Sequence, residues 1–355
     1  MVEVSVIMPV FNAEEYLEES INCILNQTLT DLELICVDDG STDNSLKILN
    51  EFKDSDIRIQ VYHQENRGGG AARNVAMTYA TGKYLYCMDA DDMIELDALE
   101  RLYDVCEEKN LDFVIFQAIN YDDELDKYYR HFYYDMDKLA ETVGDDVFNI
   151  DDLGKTIFKI SVTPWCKLYN LDFVKRSGAQ FAEGLIFHDN IFFWDILFNA
   201  KKIYFLKEVL YTRRRHLKSS TGAKDKRYVS TIMINNMIVQ KFIDYGYFDE
   251  HKKKLYNDKM DSVYRRFGEV RDEFKQYFFG EMKKDFTKML THKEYDEFLR
   301  IINKRNRQRF EDVVNSNDYD EFKKAYGLHE LKKDSQKQAP KNDNKIKKIF
   351  GRFLS

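Results

Sequence analysis

Residues 82–92 read GKYLYCMDADD: a Gly-Lys turn, a short apolar run from Tyr84 to Met88, then Asp89, Asp91 and Asp92 crowded directly behind it. A run of that length and composition predicts a buried strand. Carboxylates packed at its end repel one another and lose solvation, a poor arrangement without a counter-ion. A hard divalent cation, Mg²⁺ or Mn²⁺, relieves the repulsion and brings the phosphate oxygens of a substrate with it. Asp89 and Asp91 have the spacing to act together, with Asp91 the more direct ligand. The plainer alternative makes Asp92 the start of a capped helix and the other two solvated turn residues.

Outward from this strand, apolar runs alternate with amphipathic stretches. Val4–Met8, Leu32–Val37, Ile57–Tyr62, Tyr84–Met88 and Asp112–Gln117 read as strands. Glu14–Asn26, with Asn12 as its cap, a second stretch carrying Leu46, Leu49 and Phe52, then Ala71–Ala80 and Leu99–Glu108 read as helices. This alternation predicts an α/β fold with a mixed, mostly parallel sheet flanked by helices. In such sheets ligands bind where strand C-termini open into loops. Residues 120–154 are rich in Tyr and Asp and read as an insertion. Residues 165–221 return to mixed α/β character, and 224–331 form a charged helical region.

The chain has 355 residues, 44% of them hydrophobic and 14% aromatic, enough to fill a core. Its net charge of −8 supplies no basic field for nucleic acid. Cys23, Cys36, Cys87, Cys106 and Cys166 are scattered, with no C-x-x-C pair, and suit a reducing compartment rather than a disulfide framework. The N-terminal MVEVSVIMPVF lacks the pattern of a signal peptide, and nowhere is an apolar run long enough to span a bilayer. A cytoplasmic protein is expected.

Three further segments fall on the same predicted rim. Pro9-Val10-Phe11-Asn12 follows the first strand. Asp38-Asp39-Gly40-Ser41 follows the second, where an Asp can accept a bond from an imide N–H such as that of uracil. Asn66-Arg67-Gly68-Gly69-Gly70-Ala71-Ala72-Arg73-Asn74 follows the third. Its glycines permit positive φ and close backbone approach, and Arg73 lies one turn into the next helix. The G-x-G-x-x-G dinucleotide fingerprint fails, because Arg73 stands where its last glycine belongs.

Together the runs VSVIMPVFNAEEYLEESINCILNQT, LELICVDDGSTDNS, NRGGGAARNVAM and GKYLYCMDADD resemble the nucleotide-sugar-binding core of glycosyltransferase family 2, in order and spacing, over roughly the first 120 residues. The resemblance implies a GT-A fold, an inverting transferase, and a nucleotide-diphosphate sugar donor, UDP being the usual nucleotide. It implies donor contacts from Pro9, Val10, Asn12, Asp39, Asn66, Gly69, Arg73, Asp89 and Ala90, and a divalent metal on Asp91 and Asp89. A weaker likeness continues through Thr163-Pro164-Trp165-Cys166-Lys167-Leu168-Tyr169 to Glu183-Gly184-Leu185-Ile186-Phe187-His188-Asp189. There the family usually ends in Glu-Asp, the Asp being the base, which implies Asp189 in that role. His188 replaces the Glu, and either orients the acceptor or is structural. Arg213-Arg214-Arg215-His216 with Ser219-Ser220-Thr221 is similar to a loop that closes over the diphosphate, which implies phosphate contacts from Arg213, Arg215 and His216. The alternative for that run is a solvated basic face.

The expected domains are a catalytic unit over 1–223 (donor half 1–119, acceptor half 120–223), a helical domain over 224–331, a linker over 332–344 and a basic amphipathic helix over 345–355. From Lys332 to Ser355 there are eight Lys or Arg against two acids. Ile346, Ile349, Phe350, Phe353 and Leu354 fall on one helical face, a pattern that suits an anionic membrane surface near a glycan or lipid-linked acceptor, or packing on protein. Two rival functions stand beside the transferase: a nucleotidyltransferase, and a non-catalytic scaffold built on a sugar-nucleotide fold.

Overall fold

A computed structural model describes residues 1–216 and 224–327. Ser219, Ser220 and Thr221, the linker 332–344 and the tail helix 345–355 therefore lie outside the described residues. The chain divides into two compact units, the first Met1–Glu250 and the second beginning at His251. The division falls later than the 223/224 boundary read from composition, because the helix Ser230–Asp244 packs on Asp189–Asn199 of the first unit.

The first unit opens with β1 (Val4–Val10), α1 (Leu17–Leu25), β2 (Leu32–Asp38), α2 (Ser45–Ser55), β3 (Ile59–His63), α3 (Gly69–Tyr79) and β4 (Tyr84–Cys87). Next come β5 (Met93–Ile94), α4 (Ala98–Lys109), β6 (Phe113–Asp122), β7 (Lys127–Tyr129), α5 (Phe132–Asp135), α6 (Asp137–Val143), β8 (Lys167–Asn170), α7 (Leu171–Ser177), α8 (Asp189–Asn199), β9 (Ile203–Arg215) and α9 (Ser230–Asp244). The strands form one mixed sheet in the order β3-β2-β1-β4-β8-β6-β9-β5, with β7 added on β6. Pairing is parallel through β3-β2-β1-β4 and in β6-β9. It is antiparallel in β4-β8, β8-β6, β9-β5 and β6-β7.

The parallel half is covered on both faces. Every residue of β2 is buried, and β1 is buried except at Pro9, which explains near-continuous apolar runs in place of alternation. Two local expectations are corrected. Asn12 does not cap α1: the cap position falls to Tyr16 with no side-chain bond, and Asn12 takes φ +50° and uses its Oδ1 to accept from the Thr42 N–H at 2.8 Å. Asp92 starts no helix; it is buried and leads into β5. The Tyr/Asp-rich stretch is ordered, since β6 runs on to Asp122 and returns as β7 before α5 and α6.

The second unit is helical, with α10 (Phe248–Glu269) entering it, then α11 (Asp272–Met289), α12 (Tyr295–Ile301) and α13 (Lys304–Asn315). Its core holds Phe267, Phe278, Phe279, Met282, Phe286 and Phe310. Among the described residues no helix is long and apolar enough to cross a membrane.

Candidate active site

The ends of β1, β2 and β4 lie side by side, since β1 pairs with both neighbours. After β2, the Asp39 carboxylate is 2% exposed and organises the glycine loop. Its Oδ1 accepts from Gln64 Nε2 at 2.7 Å and the Arg67 N–H at 2.8 Å, and its Oδ2 from the Gly68 N–H at 2.8 Å. One lone pair on Oδ2 is left for a further donor. Asn12 joins the first two loops, donating its N–H to Ser41 Oγ at 3.0 Å. Pro9 is half-buried, Val10 buried and Asn66 exposed on this rim.

The glycine run has a steric reason. Gly68 takes φ +90°, which L side chains rarely adopt. Gly70 meets the 182–188 segment so closely that a Cβ there would lie 2.6 Å from the Ala182 carbonyl oxygen and 3.2 Å from His188 Cγ. At Gly69 the nearest atom would be Arg73 Nη1 at 3.4 Å. Gly70→Ala should therefore destabilise the protein by about 1–3 kcal/mol through overpacking, and Gly69→Ala much less. Urea titration of the two variants checks this, and equal midpoints would contradict the close approach.

One turn into α3, Arg73 has a side chain 7% exposed and donates through Nη2 to Asp89 Oδ1. Burial lowers its pKa, but the charges of Asp89 and Asp189 act more strongly together and the net shift is upward. For Asp89 burial raises the pKa; Arg73 opposes this, Asp91 and Asp189 add to it, and the result is a rise. Asp91 Oδ2 lies 2.8 Å from His216 Nε2, and Ala90 between the two acids is buried. Asp92 differs from both. Its Oδ2 accepts from the Tyr211 hydroxyl at 2.6 Å and its Oδ1 from the Arg214 N–H at 2.7 Å. Burial, then the charges of Asp91 and Asp89, push its pKa well above the usual carboxylate range.

Oxygens of Asp89, Asp91 and Asp92 all lie within 4.8 Å of one another. Such a set fits a hard divalent cation. Because both oxygens of Asp92 are engaged, Asp89 and Asp91 are the pair left to offer ligands.

Asp189 opens α8, half-buried, with its Oδ1 2.9 Å from His188 Nδ1. Burial raises its pKa, yet His188, then Arg73 and Lys167, draw it down, and the net shift is downward. Lys167 itself is fully buried and donates to the carbonyls of Ser161 and Thr163 at 2.6 and 2.7 Å, which makes it a brace for the 161–167 turn.

On β9, Arg213 donates to the Tyr134 hydroxyl at 3.0 Å and lies near enough for Asp92 and Asp89 to raise its pKa, against the lowering from burial. Arg215 is exposed, in register with Asp122. The run is thus no uniform solvated face: Arg213 turns inward and Arg215 does not. Arg214, to which the sequence pattern assigns no role, is 8% exposed. It donates to Asp123 Oδ1 at 2.8 Å, to Glu19, and through Nε to the Asp91 carbonyl at 3.0 Å.

Comparison with known proteins identifies the family and the fold. Residues 5–161 match the family model for glycosyl transferase family 2. Glycosyltransferase GlyG of Streptococcus pneumoniae is 34% identical over 215 residues, 60% of this chain and 70% of that protein. The chain belongs to glycosyl transferase family 2. Another relative, the cholesterol galactosyltransferase of Borreliella burgdorferi, is 27% identical over 304 residues, 77% of this chain and 83% of that one. The fold is that of S. aureus TarS residues 1–349, solved with UDP-GlcNAc, at a TM-score of 0.66 and 18% identity over 93% of this chain and 92% of that one. The mixed sheet with its helical C-terminal region is accordingly a GT-A fold, and this family 2 glycosyltransferase carries its acidic pair after β4.

Proposed function

We propose that this glycosyltransferase inverts the anomeric centre, moving a hexosyl or N-acetylhexosaminyl group from a UDP-sugar to an acceptor hydroxyl in envelope polysaccharide or glycolipid synthesis. The observation that carries the reading is the convergence of Asp89, Arg73, His188 and Asp189, held in mutual contact across three separate segments. One side of the group faces the acidic pair, where a diphosphate would sit. The other presents a carboxylate kept ionised, as a base for an acceptor hydroxyl must be.

In this reading Pro9, Val10, Asn12, Asp39 and Asn66 bind the nucleoside, with the remaining lone pair of Asp39 Oδ2 available to an imide N–H. Gly69, Arg73, Ala90 and Arg213 line the diphosphate and sugar, with His216 just after β9, and the exposed Arg215 meets the diphosphate from the solvent side. Asp91 and Asp89 hold Mn²⁺ or Mg²⁺, and His216 lies beside Asp91. When bound, the cation stabilises negative charge developing on the leaving diphosphate. Asp189 takes the acceptor proton late, as the C1–O bond breaks, and attack opposite the leaving group inverts the centre. UDP is supported by the TarS complex, whose fold this chain shares. The basic amphipathic pattern of residues 345–355 supports docking on the inner face of an anionic membrane, beside a lipid-linked acceptor.

The test is to incubate purified protein and its Asp91→Ala variant with UDP-glucose, UDP-galactose, UDP-GlcNAc and UDP-GalNAc, with Mn²⁺ or Mg²⁺, and to follow binding and UDP release. Metal-dependent binding of one donor, lost in Asp91→Ala, is expected. Well-folded protein that binds none of the four with either metal would overturn the reading.

A further inference from the structure

His188 stands where the family resemblance leads one to expect a Glu, and its surroundings define how its ring is protonated. Arg73 Nη1 lies 3.4 Å from His188 Nε2. A guanidinium can only donate, so Nε2 must present its lone pair. A neutral imidazole with a bare Nε2 carries its proton on Nδ1, and Nδ1 lies 2.9 Å from Asp189 Oδ1. Both atoms are buried and neither has a hydrogen-bond partner among the described residues, so each is available to the other. The ring has little other freedom. Phe181 packs edge-on at 5.6 Å, and α3 passes so near at Gly70 that no Cβ fits there without displacing His188 or the Ala182 carbonyl. An ionised Glu, the residue usual at this position, would accept from Arg73 but offer no proton to Asp189.

We infer that His188 is a positioning residue, a neutral Nδ1–H imidazole that accepts from Arg73 and donates to Asp189. It thereby fixes the orientation of the base relative to the Arg73–Asp89 pair. The inference rests on the reading of Asp189 as the base. Asp89, Arg73, His188 and Asp189 then form one continuous row from the acidic pair to the base. With the Nδ1–H donated to Oδ1, Oδ2 of Asp189 is the oxygen that faces an acceptor hydroxyl.

Two measurements test it. In full-length protein with ¹⁵N-labelled histidine, long-range ¹H–¹⁵N correlation reads the tautomer, and the His188 signal is identified by its loss in His188→Asn. A protonated Nδ1 with a bare Nε2 at pH 7.5 is expected; the Nε2–H tautomer or an imidazolium would overturn the proposal. The second measurement is steady-state UDP release from the four UDP-sugars with Mn²⁺, with water taking the place of the acceptor hydroxyl and the free sugar as the second product. Asparagine puts an N–H where Nδ1 stands, whereas glutamine reaches only the Nε2 position. His188→Asn should keep kcat within about fivefold of wild type, and His188→Gln and His188→Ala should lose on the order of 10- to 100-fold in kcat with little change in the donor KM. Loss as deep in His188→Asn as in His188→Ala, or an effect confined to KM, would refute the positioning role. Asp189→Asn is run alongside. Full turnover in that variant would sink the base assignment, whereas the tautomer result bears on His188 alone.

Discussion

Asp189→Asn should lower turnover by about 10²- to 10⁴-fold, the usual contribution of a positioned general base, while donor affinity stays within about twofold. Asparagine matches the shape of the carboxylate, so the start of α8 and the His188 contact are preserved in volume. What disappears is the ability to take a proton. Initial rates of UDP release, paired with calorimetry of UDP-sugar binding in Mn²⁺, separate the two quantities. A matched fall in affinity would mean that Asp189 serves the donor instead of the acceptor. The pH dependence has a definite sign. The carboxyl is held below its usual range, so its ionised form is favoured by folding. That contribution is fully present above the unfolded carboxyl pKa of about 3.9 and is lost as pH falls through the lower folded value. Wild type should accordingly keep its active form down to mildly acid pH, and an acid limb near neutrality would have to come from a different group.

The parallel half of the sheet was legible because its strands are buried on both faces and so read as unbroken apolar runs. Val4–Val10 and Leu32–Asp38 show this most clearly. Strand ends alone then placed Asp39, Asp89 and Asp91 on one rim. What could not be read was which side chain turns inward. Arg213, Arg214 and Arg215 are equivalent in sequence, yet pairing with β6 turns Arg213 toward Tyr134, buries Arg214 against Glu19 and Asp123, and leaves Arg215 exposed. Asp123 sits 91 residues away from Arg214, and no local pattern announces a contact of that span. Asn12 was read as a helix cap because its residue type suits one. The cross-loop bond to Thr42 instead draws it into positive φ, a tertiary contact outweighing local propensity. The glycines were read as permissive backbone, and only Gly68 is needed for its φ; Gly70 is small because His188 and Ala182 lie against it.

Arg214→Met should raise the Mn²⁺ concentration required for UDP binding by about 10- to 100-fold, the typical cost of removing a group that orients a metal ligand, the role proposed for Asp91. Arg214 touches the acidic loop at two points: its N–H holds Asp92 Oδ1, and its Nε holds the Asp91 carbonyl. Its guanidinium is in turn fixed by Asp123 and Glu19, with the Tyr16 ring 4.8 Å beneath it and the Tyr121 ring 5.5 Å away. Methionine fills the space and keeps the backbone bond to Asp92, so the side-chain contribution alone is removed. Stability should also fall, by about 2–3 kcal/mol. That is below the roughly 3–5 kcal/mol of a fully buried pair, because Glu19 is 53% exposed and water can solvate it once its partner is gone. Arg214→Lys restores charge without the planar fork. A single ammonium cannot span Asp123, Glu19 and the Asp91 carbonyl at once, so this variant should recover most of the stability and little of the metal affinity. Recovery of both together would mean that charge alone, rather than the oriented guanidinium, holds the acidic loop. An unchanged Mn²⁺ requirement in Arg214→Met would mean that Asp91 is positioned from its own side, by His216.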